Sequence, residues 1–335
     1  MIKILELFGG IGAPRKALVN LGTNHKSIDY VEILPHAVTA YNQIFCNDYE
    51  PQDIKTWNMN VDLLVHGSPC QDWSKNGLNN VNSGRSILYE RTLEIVRCEL
   101  NPRPRVVIWE NVPNLISKRH ICHFEHYITE MEKMGYINSF KILNSKDFGA
   151  AQNRERIFTV SILDGFKFIF PTGSSKKTIK DIIDEDVKME DYKLSENEMK
   201  LFFYEDGDLY VKENNSRGKR IIHEYDSINV ERPNSKTRRG RVGSQRFQTI
   251  TTSPNQAVYH NGQLRRMTER EAWKAMGFSD DDFDNVNLKG IPKSAIYALA
   301  GNSIVVPVLE EIFFSLLNDG RLFKKKEKQV INNDK

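Results

Sequence analysis

One cysteine of the chain stands where a thiol could act as a nucleophile. Cys70 lies in the stretch 67–71 (GSPCQ), directly after the apolar run 61–66, which is typical of a buried strand. The glycine and proline beside it predict a loop, and a thiol in a loop beyond a strand end is open to a substrate. We therefore interpret Cys70 as a candidate nucleophile. The other cysteines lie in or beside helical stretches and are interpreted as small buried hydrophobic residues: Cys46, Cys98 and Cys122.

A carboxylate and two arginines could act on the same substrate as this thiol. Glu110 follows the next apolar run along the chain, and Arg154 and Arg156 lie at the start of a further one. Ionisable residues at the ends of neighbouring parallel strands converge on one crevice of the sheet. We therefore expect Cys70 and Glu110 to meet on one substrate.

A glycine-rich turn near the N-terminus is typical of a ligand site. The apolar run 2–8 is broken by residues 9–12 (GGIG), and Pro14 suits the first turn of a following helix. Backbone N–H groups at such a turn point at whatever lies beyond the strand. Glu32 follows about 20 residues on, where an acid can accept both hydroxyls of a ribose. Arg15 occupies the place of the third glycine of a dinucleotide site, which favours a nucleoside without phosphates, such as S-adenosylmethionine.

The elements that would position these residues alternate along the first 170 residues. The predicted strands are 2–8, 27–31, 61–66, 105–109 and 156–163, and the predicted helices are 15–21, 34–45, 86–99 and 124–134. Strands separated by helices predict an α/β fold whose parallel sheet is covered on both faces. The following stretch is polar and weakly periodic to about residue 260, and helices return at 268–276 and 305–317.

The length and composition of the chain fit two domains. It has 335 residues, 39% hydrophobic and 27% charged, which is an ordinary globular composition. We expect residues 1–172, completed by about 301–322, to form the catalytic and cofactor-binding domain. Residues 173–300 would form a small domain, and 323–335 a solvated tail. Four cysteines without a C-x-x-C pair, and the lack of a run of ~18 apolar residues, predict a reduced intracellular protein.

The net charge of +3 conceals a basic segment. Between Lys212 and Gln248, ten basic residues stand against four acids, a local charge of about +6. Such a concentration of positive charge predicts a polyanionic partner.

Six groups of residues stand in an order that is typical of one enzyme family. They are Phe8-Gly9-Gly10-Ile11-Gly12, Pro69-Cys70-Gln71, Glu110-Asn111-Val112, Gln152-Asn153-Arg154-Glu155-Arg156, Arg266-Met267-Thr268 with Glu271 and Gly277-Phe278, and Gly301-Asn302-Ser303. In this order they resemble the DNA (cytosine-5) methyltransferase family, of the bacterial or phage restriction-modification type, from residue 2 to about 310. Lys274 and Thr252 depart from the arginine and leucine usual in the family, which concerns packing of the small domain and not the chemistry.

The resemblance implies a Rossmann-like S-adenosylmethionine-dependent methyltransferase fold with a second, smaller target-recognition domain. It implies that Cys70 adds to C6 of cytosine and that Glu110 protonates or hydrogen-bonds N3 and the exocyclic amine. Arg154 and Arg156 would hold the O2 side of the base, which must be flipped out of the duplex. The cofactor residues that it implies, with Asp53 reading the adenine amine, are Phe8, Gly10, Gly12, Glu32, Asp53, Ile54, Ser68, Asn302 and Ser303.

The resemblance also makes the basic segment a DNA target-recognition region. The residues implied to contact DNA are Arg238, Arg239, Arg241, Arg246 and Thr251. We expect a monomer that acts on double-stranded DNA in the cytoplasm, with a cognate restriction endonuclease acting separately and with no metal or membrane partner. Two alternatives stay open at this point: a tRNA cytosine-5 methyltransferase with nearly the same motifs, and a DNA-binding module of this fold that has lost turnover.

Overall fold

The computed structural model describes residues 1–55, 61–69, 88–98, 102–287 and 290–322. Along the chain its strands are β1 (Ile2–Leu7), β2 (His25–Val31), β3 (Leu63–His66), β4 (Val106–Asn111), β5 (Tyr136–Asn144), β6 (Gln152–Asn153), β7 (Glu155–Leu163), β8 (Phe202–Glu205), β9 (Asp208–Lys212), β10 (Lys219–Ile221), β11 (Ser227–Asn229), β12 (Val242–Gly243), β13 (Phe247–Gln248), β14 (Gln256–His260) and β15 (Gln263–Arg266).

The helices follow the predicted ones closely in the first half of the chain. They are α1 (Ala13–Asn20), α2 (Pro35–Phe45), α3 (Leu88–Arg97), α4 (Ile121–Lys133), α5 (Glu196–Met199), α6 (Glu269–Met276), α7 (Asp280–Asn287), α8 (Lys293–Asn302) and α9 (Val306–Asn318). Short 3-10 helices lie at Pro113–Ile116, Ser145–Asp147, Ile179–Asp181 and Met189–Tyr192.

Six strands form one large sheet in the order β2-β1-β3-β4-β7-β5. The first four are parallel to one another, but β7 runs antiparallel to both of its neighbours. The prediction of a wholly parallel sheet is therefore wrong for β7. The cause is the short connection 145–154, because a parallel return from β5 would need a longer crossover, usually a helix.

Helices cover both faces of the large sheet, as predicted, and the strand residues alternate between two apolar clusters. Ile4 and Val65 point into the cluster that contains the buried residues of α1 and α9. Leu5 and Leu64 point to the opposite face, into the cluster built with α3 and α4. This alternation is the period-two pattern of a sheet buried on both sides.

Two small sheets occupy the polar stretch between the two helical parts. One has the order β10-β9-β8 and the other β12-β11-β14-β15, and together they enclose a separate apolar cluster that includes Val211 and Ile228. Their strands have only two to five residues, so they are too short to show a period-two pattern in the sequence. The boundaries at 172 and 301 stay predictions, and buried residues of α6 and α8 share the cluster of the large sheet.

One segment is long and apolar enough to cross a membrane by length and composition. It is Lys293–Asn318, and 61% of its most apolar window is buried inside the protein. The segment is divided into α8 and α9, and Leu299 and Phe313 pack in the same cluster as Ile4. Burial of this kind is typical of core helices.

A histidine between two carboxylates joins three distant parts of the small-sheet region. His260 ends β14, its Nδ1 lies 2.6 Å from Glu224 Oε1, and its Nε2 lies 2.9 Å from Glu185 Oε2. Both ring nitrogens can donate only when the imidazole is protonated. Burial lowers the pKa of His260, but the hydrogen bonds and charges of the two carboxylates outweigh it, so the pKa lies above its ordinary value of 6.5.

We expect this arrangement to make stability depend on pH. A raised folded-state pKa gives a stabilisation that is complete below the unfolded pKa of His260 and is lost as the pH rises through the folded one. His260→Gln should remove this dependence, so that the variant is less stable than wild type in acid and close to it in mild alkali. Urea unfolding of both proteins between about pH 5.5 and 8.5 measures the difference. A constant difference across this range would contradict the prediction.

Candidate active site

The direction of β7 brings two charged motifs to one edge of the large sheet. Glu110 lies at the carboxyl end of β4, opposite Phe158 of β7. Because β7 runs the other way, the residues at its beginning reach this same edge. Arg156 Nε consequently lies 3.1 Å from Glu110 Oε1. The structure thus joins two residues that belong to separate motifs of the sequence.

Glu110 lies in surroundings that favour a protonated carboxyl group. Its side chain is 12% exposed, and that of Arg156 is 15% exposed. Burial raises the pKa of Glu110, and the nearby charges of Arg156 and Arg154 oppose the rise without cancelling it. A carboxyl group with a raised pKa keeps its proton to a higher pH and can then donate it or a hydrogen bond.

The loop that leads to Cys70 is anchored beside this carboxyl group. Cys70 itself lies outside the described residues, but the chain is described as far as Pro69. A Cβ placed on Gly67 would lie 3.8 Å from Glu110 Oε2. Ser68 Oγ accepts a hydrogen bond from the Trp109 indole at 3.0 Å, and its carbonyl accepts one from Asn111 Nδ2 at 3.3 Å. Ser68 is buried against β4 in this way, so its role toward the cofactor stays a prediction.

A cleft of about 390 Å³ links Glu110 to the glycine turn. The described lining residues are Glu6, Leu7, Phe8, Gly9, Gly10, Ala13, Pro14, Val65, Gly67, Glu110, Asn302, Ser303 and Ile304. The turn has left-handed backbone at Phe8 and Gly10 (φ 55° and 53°) and at Gly12 (φ 77°). A Cβ on Gly12 would approach Phe45 to 2.4 Å, so only glycine fits this position.

The charges of this cleft suit a cofactor without phosphates. The lining residues that are described include two carboxylates and neither lysine nor arginine. Glu32 lies beside the turn, where its Oε2 accepts from the Gly10 N–H at 3.1 Å and its Oε1 from the Leu34 N–H at 2.9 Å. None of the described lining residues carries a basic side chain that could pair with a pyrophosphate, which favours a nucleoside without phosphates. The residues therefore fit S-adenosylmethionine.

Glu6 is a residue of this cleft that the sequence analysis did not select. It is fully buried in β1, and it accepts hydrogen bonds from the Arg15 N–H at 3.2 Å and the Tyr41 hydroxyl at 2.7 Å. Burial raises its pKa to about 7. Arg15 in turn donates to Asn47 Oδ1 at 2.5 Å. An acid inside the apolar run 2–8 was the signal that could have identified this network under the glycine turn.

Five predicted cofactor residues are not among the described residues that line the cleft: Gly12, Glu32, Asp53, Ile54 and Ser68. Asp53 Oδ1 accepts from the Lys55 N–H at 3.0 Å, which orders the local turn. Ile54 is buried, and its carbonyl accepts from Arg91 Nε at 3.1 Å. Their roles toward the adenine therefore stay predictions. The cleft does bring Asn302 and Ser303 together with Phe8 and Gly10, as expected.

Arg154 and Arg156, which the sequence analysis gave one common role, have different contacts. Arg154 is only 4% exposed. Its guanidinium donates to the carbonyl of Ile250 at 2.8 Å, that of Gly301 at 3.0 Å and that of Ser303 at 3.1 Å. Arg156 alone of the two has a hydrogen bond to Glu110 among the described contacts. A direct contact between Arg154 and the base stays a prediction.

A second, larger groove of about 1930 Å³, open to solvent, lies on the small-sheet side. Four of the five residues predicted to contact DNA line it, namely Arg238, Arg241, Arg246 and Thr251, whereas Arg239 is not among its described lining residues. Three residues that were not predicted to contact DNA also line it: Arg232, which belongs to the basic segment, and Lys146 and Asn255, which lie outside that segment. The Oδ1 atom of Asn255 is buried without a hydrogen-bond partner among the described residues. Five basic side chains against Glu213 and Glu231 make the groove positive overall.

Known proteins resemble this chain over most of its length. Residues 2–318 match the family model of C-5 cytosine-specific DNA methylases. The type II methyltransferase M2.ScrFI of Lactococcus lactis subsp. cremoris is 27% identical over 94% of this chain and 99% of its own. The type II methyltransferase M.NgoBI of Neisseria gonorrhoeae is 30% identical over 97% of this chain and 96% of its own.

Similarity in three dimensions extends over the same length. The crystal structure of the S. pombe Dnmt2 methyltransferase has a TM-score of 0.67 at 18% identity, covering 95% of this chain and 99% of that one. The likeness confirms the methyltransferase fold with its mixed sheet. With Glu110, Arg156 and the acidic cleft at one edge of that sheet, and a family match over nearly the whole length, the chain belongs to the C-5 cytosine-specific DNA methylase family.

Proposed function

We propose that this DNA methyltransferase modifies C5 of a cytosine flipped out of duplex DNA, through a covalent bond between Cys70 and C6. The observation that carries the proposal is the buried ion pair between Arg156 and Glu110, which lines the cofactor cleft. A carboxyl group of raised pKa beside a guanidinium is suited to a ring that gains negative charge at N3 and O2. Pro69 leads the chain toward Cys70 from this same place.

The proposed chemistry starts from the poor nucleophilicity of C5 in an intact cytosine ring. The thiolate of Cys70 forms a bond to C6, and the electron pair of the C5–C6 double bond moves toward N3 and O2. Glu110 delivers a proton or a hydrogen bond at N3, while Arg156 stabilises the charge at O2. The ring becomes an enamine that is nucleophilic at C5. After C5 has gained the methyl group, a base such as water takes the C5 proton and N3 returns its proton to Glu110. The C5–C6 double bond re-forms as the C6–S bond breaks and releases the thiolate.

S-adenosylmethionine, when bound, supplies an electrophilic methyl group. We propose that the glycine turn from Phe8 to Gly12 holds it by close backbone approach and that Glu32 accepts its ribose hydroxyls. Glu6 keeps the turn in place through Arg15 and Tyr41. Asn302 and Ser303 would close the other wall of the cleft.

The positive groove supports duplex DNA as the substrate. Its opening is wide, and basic side chains lie along it together with polar ones that can read base edges. We propose that the protein acts as a monomer in the cytoplasm of a bacterium or on behalf of a phage, with a restriction endonuclease acting separately. A tRNA substrate or a DNA-binding module without turnover would each give a different result in the experiment below.

Expression in a bacterium that lacks its own cytosine methylation tests the function directly. We expect bisulfite sequencing to find protected cytosines in one short sequence context of the genomic DNA. Cys70→Ser should protect none of them, because a hydroxyl is not ionised near neutral pH. Protection found only in RNA would favour the tRNA alternative, and protection in neither nucleic acid would favour the silent module.

A trapping assay serves as the control for the covalent step. DNA that carries 5-fluorocytosine cannot lose a proton from C5, so wild-type enzyme with cofactor should remain attached to it. Denaturing gel electrophoresis detects the adduct. An adduct of equal strength from Cys70→Ser would assign the nucleophile to another residue.

Glu110→Gln should separate acid catalysis from binding. The amide keeps the shape of the side chain but cannot deliver a proton, so single-turnover methyl transfer should fall by about 10²–10⁴-fold. Wild-type transfer should decline as the pH rises through the raised pKa of Glu110, because the proton is then lost. The variant should lack this decline and should bind DNA nearly as wild type does. Unchanged transfer by the variant would remove Glu110 from the mechanism.

The groove arginines provide a test of DNA recognition with a built-in control. Arg238→Ala and Arg241→Ala should weaken DNA binding in one of two ways. Binding to all sequences weakens alike and the slope of log affinity against log salt concentration falls by about one, or binding to the target sequence alone weakens by roughly 1–3 kcal/mol. The first result indicates a phosphate contact and the second a base contact. Arg239→Ala removes an equal charge outside the described lining and should have the smaller effect. Equal losses from all three variants would mean that net charge, and not the groove, governs binding.

A further inference from the structure

One short segment separates the DNA groove from the cofactor cleft. We call residues 247–252 the connector. It begins with β13, which pairs in parallel with β6, and Thr249 Oγ1 donates to the Asn153 carbonyl at 2.8 Å. The Ile250 N–H donates to Gln152 Oε1 at 3.3 Å. Several connector residues, including Thr249 and Thr251, line the DNA groove.

The other side of the connector touches the wall of the cofactor cleft. A Cβ placed on Gly301 would lie 2.2 Å from the carbonyl oxygen of Thr251 and 2.7 Å from the nitrogen of Thr252. The two backbones are therefore in direct contact, and only glycine permits it. Asn302 and Ser303, the next two residues, line the cleft. The connector on the groove side and the turn 301–303 on the cleft side are thus in direct backbone contact.

Arg154 holds the connector and the turn 301–303 in contact with each other. One terminal nitrogen of its guanidinium donates to the connector at the Ile250 carbonyl, and the other donates to the carbonyls of Gly301 and Ser303. A guanidinium presents its N–H donors in a rigid planar fork, so it holds its acceptors at fixed mutual positions. The connector and the turn 301–303 are consequently tied together and can respond as one unit.

We propose that Arg154 is a positioning residue that couples occupancy of the DNA groove to occupancy of the cofactor cleft. The inference rests on the proposed function, because it requires DNA in one site and the cofactor in the other. Contact of DNA with the connector orders the turn 301–303, and a ligand in the cleft orders the connector. Since coupling between two binding sites is reciprocal, each ligand raises the affinity of the other by the same factor.

The test measures both affinities with S-adenosylhomocysteine as the probe for the cleft. Calorimetry measures the Kd of the probe with and without saturating target duplex. It also measures the Kd of the duplex with and without the probe. For wild type we expect each ligand to lower the Kd of the other by the same factor, within the range of about 5- to 150-fold. Arg154→Lys keeps the charge but lacks the fork, so its factor should fall toward one while each separate affinity changes only a few-fold.

Two further variants identify the contact that is responsible. Arg103→Lys is the matched control, because Arg103 also donates to a main-chain carbonyl, that of Met134, but lines neither the cleft nor the groove among the described residues, so this variant should keep the wild-type factor. Gly301→Ala introduces a Cβ that pushes the backbones of the connector and the turn 301–303 apart. It should lower the coupling factor as Arg154→Lys does. A wild-type factor of one, or a factor in Arg154→Lys equal to that of wild type, overturns the proposal.

Hydrogen exchange on the wild-type protein gives an answer that does not depend on how the variants fold. The probe alone should slow exchange at the connector amides, and target duplex alone should slow it at residues 301–303. The proposal is overturned if, in either experiment, amide exchange stays unchanged in the segment that lies away from the bound ligand. If both ligands bind and DNA is methylated but the factor is one, the coupling fails while the proposed function stands. If target duplex does not bind at all, the proposed function has failed.

Discussion

Because β7 runs against its neighbours, residues at its beginning share an edge with residues at the ends of β1, β3 and β4. The ion pair between Arg156 and Glu110 exists only for this reason, since a parallel β7 would carry its first residues to the opposite edge of the sheet. The glycine turn, the loop toward Cys70 and the turn 301–303 then gather around one buried carboxyl group. The short connection from β5 to β7 sets this direction and so shapes the whole active site.

The cleft and the groove differ in the charged residues that line them. The described lining of the cofactor cleft holds carboxyl groups without basic residues, whereas that of the groove holds five basic side chains against two acids. On the proposed function, the groove attracts nucleic acid, and the cleft offers no cation to a polyphosphate. Glu110 lies on the acidic side of this division but within reach of Arg156, which gives one carboxyl group both a raised pKa and a cationic neighbour.

Much of this arrangement could be predicted from the sequence, and the failures have physical causes. The strands β1 to β4 and the helices between them have strong apolar periodicity, and Glu110 follows such a strand directly. The direction of β7 was missed because periodicity does not reveal which way a strand runs. The short strands of the small sheets show no period. The contacts of Arg154 were missed because its acceptors are main-chain carbonyls, which leave no mark in a sequence, and the place of Cys70 stays a prediction.

The main-chain nature of those carbonyls has a consequence for how such an enzyme can change. Ile250, Gly301 and Ser303 contribute only backbone oxygen atoms to Arg154, so a change of side chain at Ile250 or Ser303 leaves the acceptors in place. The side chains at these two positions can therefore be replaced while the frame that Arg154 holds is kept. Gly301 is the exception, since its missing side chain is what allows the frame to close.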